Sequence, residues 1–216
     1  MNENVKTIIA ICGKSGSGKD SLEKLMCKLV PIAHPIVSHT TRPKREYETD
    51  GVDYHYVTDE QFLDLVVQGQ MLEASYFNHW HYGTSLSSLQ DGLNVGVFNP
   101  DGLDALLESS RERKDLFVLC YYLDVDGKTR LLRQLNREEH PDVDEIIRRY
   151  STDEVDFGDI NLFPITALIN DTPTDLYDNI LIILDDIKNY TSLFEKDEYY
   201  DTVRKVIHAR DNDGAW

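Results

Sequence analysis

The sequence predicts an α/β fold: a P-loop parallel sheet flanked by helices, with a small mixed sheet and a mostly helical segment inserted into it. Three observations predict this. Apolar runs of strand length alternate with amphipathic helical stretches, the rhythm of a parallel sheet. The first strand breaks into a glycine-rich turn, Gly13 to Lys19, that opens a helix. Two polar, charged stretches, 38–92 and 133–149, interrupt the alternation.

Taken in order, Val5–Cys12 is an apolar run that reads as a buried strand. The loop after it (Gly13, Ser15, Gly16, Ser17, Gly18, Lys19) has the composition and setting of a phosphate-binding loop. Its glycines let successive N–H groups point inward, and the helix N-terminus adds partial positive charge. Lys19 would then reach the terminal phosphates as a mobile cation. The motif asks for Ser or Thr next, and Asp20 stands there. Leu22, Leu25, Met26 and Leu29 share one face of the helix, which should end at Pro31.

Ile36–Ser38 can form a short second strand, and Tyr54–Val57 another. Thr58 with Gln61 makes a capping box, so Asp59–Gln68 is a helix closed by Gly69. Met71–Phe77 reads as a strand, Ser85–Gln90 as a short helix stopped by Gly92, and Asn94–Phe98 as a return to the core. Asp101–Ser110 is helical. Leu116–Leu123 is continuously apolar, as befits a strand covered on both faces. Asp126–Asn136 is helical with Leu131, Leu132 and Leu135 as its apolar residues, and Asp142–Val155 is a second helix after His140-Pro141. Ile165–Ile169 is the last strand and Thr172–Tyr190 the helix after it. The tail from Ser192 to Trp216 reads as an acidic helix with a frayed end.

At 216 residues and 41% hydrophobic content, the chain supports one good core. A single domain over 1–216 is expected, with its core at 1–37, 93–132 and 150–216. No apolar run is long enough to span a bilayer and the N-terminus carries no secretory pattern, so cytoplasm is the expected location. Cys12, Cys27 and Cys120 sit in apolar patterns without metal-ligand spacing and read as reduced core residues. A formal charge of −17 disfavours nucleic acid as a partner. A phosphate site must therefore be a local basic pocket in an acidic protein.

Three segments, GKSGSGK, SHTTRPKREYETDGVDYHYV and MLEASYFNHWHYGTS, occur in the order and spacing of the guanylate kinase family, which the chain resembles. The likeness is close from Val5 to about Gly92 and looser beyond. It implies that 38–92 is a nucleoside-monophosphate-binding region and that 133–149 is a lid. It implies further that Arg42, Arg45, Tyr54 and Tyr82 hold the acceptor phosphate, through arginine forks and tyrosine hydroxyls. Ser38, Glu73 and Thr84 match positions around the guanine base. A carboxylate at Glu73 suits guanine, whose edge offers N1–H and an amino group, and rejects adenine, which has no donor at N1. Arg133, Arg137 and Arg149 fall close to lid positions that reach ATP. The alternative is that these arginines pair with Glu138, Glu139 and Glu145 on an exposed helix.

The expected reaction is Mg²⁺-dependent transfer of the γ-phosphate of ATP to GMP or dGMP, by a monomer or homodimer, with Lys19, Arg42, Arg137 and Arg149 stabilising the transfer. Two departures stand beside the chemistry. Where the family has Asp-x-Asp this chain has Val97-Phe98-Asn99. Asn99 can still accept from the guanine amino group through its amide oxygen. Val97 removes a carboxylate that helps organise magnesium, and Asp20 is the candidate to replace it. A monophosphate kinase of altered or broader base choice, or a non-catalytic binding module, are the competing readings.

Overall fold

The computed structural model describes residues 5–46, 48–77, 79–137, 139–190 and 205; the tail helix expected over 192–216 lies outside the described residues, Lys205 apart. The central strand β1 (Lys6–Cys12) is flanked in a five-stranded parallel sheet of order β2-β7-β1-β8-β9. Its partners are β2 (Ala33–Pro35), β7 (Leu93–Val97), β8 (Leu116–Asp124) and β9 (Thr166–Ile169). Successive residues of β1 point to opposite faces, and both faces are covered. Ile9 and Ile11 pack with Leu22 and Met26 of α1 (Lys19–Leu29) and with Ile180, Ile183 and Leu184 of α6 (Asp175–Tyr190). Ile8, Ala10 and Cys12 pack with Leu103 and Leu106 of α3 (Pro100–Glu112) and with Phe157 and Ile160. That two-sided burial explains why the strand reads as an unbroken apolar run.

The stretch between β2 and β7 forms a second, four-stranded mixed sheet of order β4-β3-β6-β5. It is built from β3 (His39–Thr40), β4 (His55–Tyr56), β5 (Met71–Phe77) and β6 (Trp80–Ser85). Helix α2 (Asp59–Val67) packs beside it, and its capping box between Thr58 and Gln61 is present in full. Beyond β8 come α4 (Gly127–Leu135), capped by Asp126, and α5 (Val143–Asp156), capped by Asp142.

Two sequence expectations need correction, and one strand was unassigned. The second strand lies at Ala33–Pro35, not Ile36–Ser38: Ile36 makes one last bond to the Val95 carbonyl at 2.7 Å before the chain leaves the sheet. Pro35 can close this strand because β2 is at the edge of the sheet, where proline is tolerated. Trp80–Ser85, unassigned from sequence, is a strand antiparallel to β5. Gly83 makes this pairing fit, since a Cβ there would lie 2.7 Å from the Glu73 carbonyl oxygen. On α4 the expected apolar residues Leu131 and Leu132 are exposed, and the buried residue is Arg130.

Candidate active site

The glycine loop is held from behind by α4 and α5, the helices at the two ends of the 133–149 stretch. Gly16 (φ 79°) and Gly18 (φ 95°) adopt left-handed backbone that only glycine takes readily. Neighbouring chain also presses close: a Cβ on Gly16 would lie 2.6 Å from the Arg130 carbonyl oxygen. Asp153 of α5 accepts from the Ser15 N–H at 2.6 Å, and Lys14 bonds Glu154 at 2.8 Å. Arg130 spans the two acids, 3.5 Å from Asp153 and 3.2 Å from Glu154. The Arg133 guanidinium donates to the Asn170 carbonyl at 2.7 Å and to the Gly16 and Ser17 carbonyls at 3.4 Å. Asn170 in turn donates to the Ser17 carbonyl at 2.6 Å. Lys19 lies along the loop, its Nζ donating to the Gly13 carbonyl at 2.6 Å. Burial pulls its pKa down, while Asp20 and Asp153 pull the other way.

A second group of residues comes from the polar loop after β3. Arg42 pairs with Glu48 at 2.7 Å, and the same carboxylate accepts from the Arg45 N–H at 2.8 Å and the Tyr56 hydroxyl at 2.7 Å. Glu48 is buried, which by itself raises its pKa, yet the bonds from Arg42, Arg45 and Tyr56 hold it down at about 2. The Arg42 guanidinium also lies over the Tyr54 ring, 5.6 Å from its centre. Tyr54 and Tyr82 meet edge to face at 6.0 Å. Glu48 is a residue that sequence reasoning missed. It sits in an irregular loop with no periodicity to mark it, and its spacing of three from Arg45 was the only signal.

The third part is a cavity of about 180 Å³. It is lined by Gly13, Ser15 and Lys19 on one side and by Ser38, Glu73, Ser75 and Asn99 on the other. Glu73 is buried, and burial pushes its pKa up to about 7 against hydrogen bonds from Thr84. Thr84 is itself fully buried behind Ser38, their hydroxyls 3.3 Å apart. Asn99 departs from expectation. It is the N-cap of α3: its Oδ1 accepts from the Gly102 N–H at 2.7 Å, and its Nδ2 donates to the Ser75 hydroxyl at 3.2 Å. One of the two lone pairs of the oxygen expected to read a guanine amino group is engaged by the helix.

Tyr54, Tyr82, Ser38 and Val97 also line an adjoining cleft of about 890 Å³. This cleft gathers Arg42, Arg45, Arg137, Arg148 and Arg149, with Asp20 and Glu23 on the α1 wall. Arg148 and Arg149 both line it, and both bond Glu145 at 2.6 Å. Part of the alternative pairing is therefore present. Burial and the charge on Asp20 push the Glu23 pKa up to about 8. Of the residues singled out from sequence, Gly16, Ser17, Gly18, Arg133 and Thr84 stand behind the cavity and cleft walls; the rest line them. Arg133 holds loop carbonyls instead.

The donor set suits magnesium. Among the described residues no group of three His, Cys, Asp or Glu could enclose a metal, and the exposed Asp20 carboxylate looks into the cleft beside the glycine loop. Magnesium usually keeps its waters and takes one or two carboxylates together with substrate phosphates.

Comparison with known proteins agrees with this geometry. A family model described as guanylate kinase matches residues 4–156. The guanylate kinase of Legionella pneumophila (strain Paris) is 33% identical over 148 residues, covering 66% of this chain and 68% of that protein. That of Chlorobium luteolum is 28% identical over 185 residues, covering 84% of this chain and 92% of that one. The crystal structure of guanylate kinase from Anaplasma phagocytophilum superposes with a TM-score of 0.64 at 19% identity, over 88% of this chain and 89% of that one, a likeness of fold.

Proposed function

This chain belongs to the guanylate kinase family, and we propose that it transfers the γ-phosphate of ATP to GMP or dGMP by direct in-line displacement. The observation that carries this reading is a pair of adjoining spaces. Lys19 and the glycine loop, with the buried Glu73, line one cavity, and Ser38, Tyr54, Tyr82 and Val97 form a wall common to it and the arginine-rich cleft.

On this reading the acceptor phosphate oxygen is itself the nucleophile, so the protein supplies no base. Its work is alignment and charge neutralisation. Arg42 and Arg45, pre-oriented by Glu48, hold the acceptor phosphate with the Tyr54 and Tyr82 hydroxyls. Glu73 reads N1–H of the base, while Ser38 and Thr84 lie beside it. Loop N–H groups and Lys19 receive the β- and γ-phosphates, and Arg137 and Arg149 approach them from the lid. Asp20 is the residue that would hold magnesium. When bound, the ion supplies positive charge to the phosphate oxygens. Closing the small sheet and the lid over the cleft excludes water, which otherwise competes as acceptor. No helix among the described residues is long and apolar enough to cross a membrane. A cytoplasmic monomer or homodimer completes the proposal.

The test is an ADP-release assay with Mg·ATP and a panel of ribo- and deoxyribonucleoside monophosphates, with Lys19→Ala as control. ADP release on adding GMP or dGMP, abolished in the variant, is the expected result. GMP binding without any turnover would instead indicate a binding module.

A further inference from the structure

The base cavity holds one hydrogen-bonding group whose orientation the backbone dictates. Gly102 N–H can only donate, so the atom of the Asn99 amide 2.7 Å from it is the oxygen, and the atom turned to Ser75 is the nitrogen. A flipped amide would set two donors against each other at the start of α3. The cap is further fixed by the chain, since Leu103 N–H bonds the Asn99 carbonyl at 2.9 Å and Pro100 occupies the first helical position. The amide and Glu73 share one patch: the Cβ that Gly102 lacks would lie 3.1 Å from both Asn99 Oδ1 and Glu73 Oε2.

An aspartate in this position would keep one oxygen on the Gly102 N–H and turn a second, an acceptor, to where Nδ2 now stands. Asparagine puts a donor there. Ionised Glu73 can accept from N1–H of any 6-oxopurine, and the Ser38 hydroxyl, which lines the cavity, can serve its O6. Where an aspartate would turn its second oxygen, the exocyclic 2-amino group, itself a donor, meets the Nδ2 donor, and the single Asn99 oxygen already accepts from Gly102 N–H. We infer that Asn99 sets base choice by withholding an acceptor from the 2-amino group, so that this pocket takes hypoxanthine as well as guanine and IMP is a substrate beside GMP. The inference rests on the proposed reading of the cavity as a purine monophosphate site.

The test measures binding of GMP and of IMP at pH 8, without ATP, to the wild-type chain and to Asn99→Asp, alongside kcat/KM for both nucleotides with Mg·ATP. Aspartate caps a helix as well as asparagine, so the variant folds. Its added charge beside Glu73 weakens both ligands alike, and the ratio of the two affinities removes that effect. The expected result is that Asn99→Asp raises the preference for GMP over IMP by about tenfold or more, as one regained hydrogen bond to a charged acceptor requires. A smaller rise, with GMP bound, overturns this inference and leaves the site reading standing. Failure of the wild-type chain to bind either nucleotide overturns both.

Discussion

The carboxylate of Asp153 accepts from the backbone N–H of Ser15 at 2.6 Å, so the C-terminal end of α5 is bolted to the glycine loop. Arg130, buried beneath them, neutralises that carboxylate at 3.5 Å. Asp153→Ala leaves Arg130 with Glu154 alone and should cost about 3 kcal/mol, the low end for breaking a buried pair. Urea unfolding measures it as a lower midpoint at unchanged slope. Replacing Arg130 by Met and Asp153 by Leu together should recover most of that stability. The KM for ATP should stay raised in the double variant, because the Ser15 N–H remains unsupported.

Glu73 gives the base site a pH dependence. Its carboxyl, raised to about 7 by burial, is protonated below that pH and then offers fewer lone pairs to N1–H. The kcat/KM for GMP should therefore fall about tenfold per pH unit below about 7, the slope of a single required deprotonation. Glu73→Gln should flatten the profile at a level about 10–100-fold lower at pH 8, as loss of a charged hydrogen bond implies. The sign for stability is opposite. With its folded pKa above the unfolded 4.5, this group makes the empty protein more stable as pH falls from about 7 towards 4.5.

Glu48 works in the other direction. Its folded pKa of about 2 lies below the unfolded 4.5, so its stabilisation is complete above 4.5 and is lost as pH falls towards 2. Glu48→Gln should lower stability at pH 7 by on the order of 3 kcal/mol. The gap to the wild type should close between pH 4.5 and 2 in denaturation curves. The KM for GMP should rise in the same variant, since Arg42 and Arg45 lose their shared anchor.

Asp20→Asn should raise the free magnesium needed for half-maximal rate by about tenfold, on the scale seen when a group supporting a metal is removed. Titration of magnesium at fixed ATP measures it. An unchanged requirement would remove Asp20 from the metal's surroundings.

Most of the core was legible in the sequence because periodicity and capping are local. β1, α1, the Thr58–Gln61 box and β5 stand where the pattern puts them. The parts that were not legible depend on distant partners. Arg130 reads as a surface cation on a helix with three leucines, and only the approach of Asp153 and Glu154 makes it a core residue. Trp80–Ser85 holds a glycine and follows a turn, so it resembles loop until β5 supplies its partner. At Asn99 the residue type is plain in the sequence, but the direction of its amide depends on where α3 begins, three residues from the group that fixes it.

That cap makes residue 99 a position where helix grammar restricts recognition. Only short polar side chains close a helix start well, and others forfeit about 1 kcal/mol. The base pocket can therefore be retuned here within a very small alphabet. Within it, moving between Asp and Asn exchanges an acceptor for a donor at almost no cost to the fold. A single such exchange can change what the site reads while leaving the scaffold as it was.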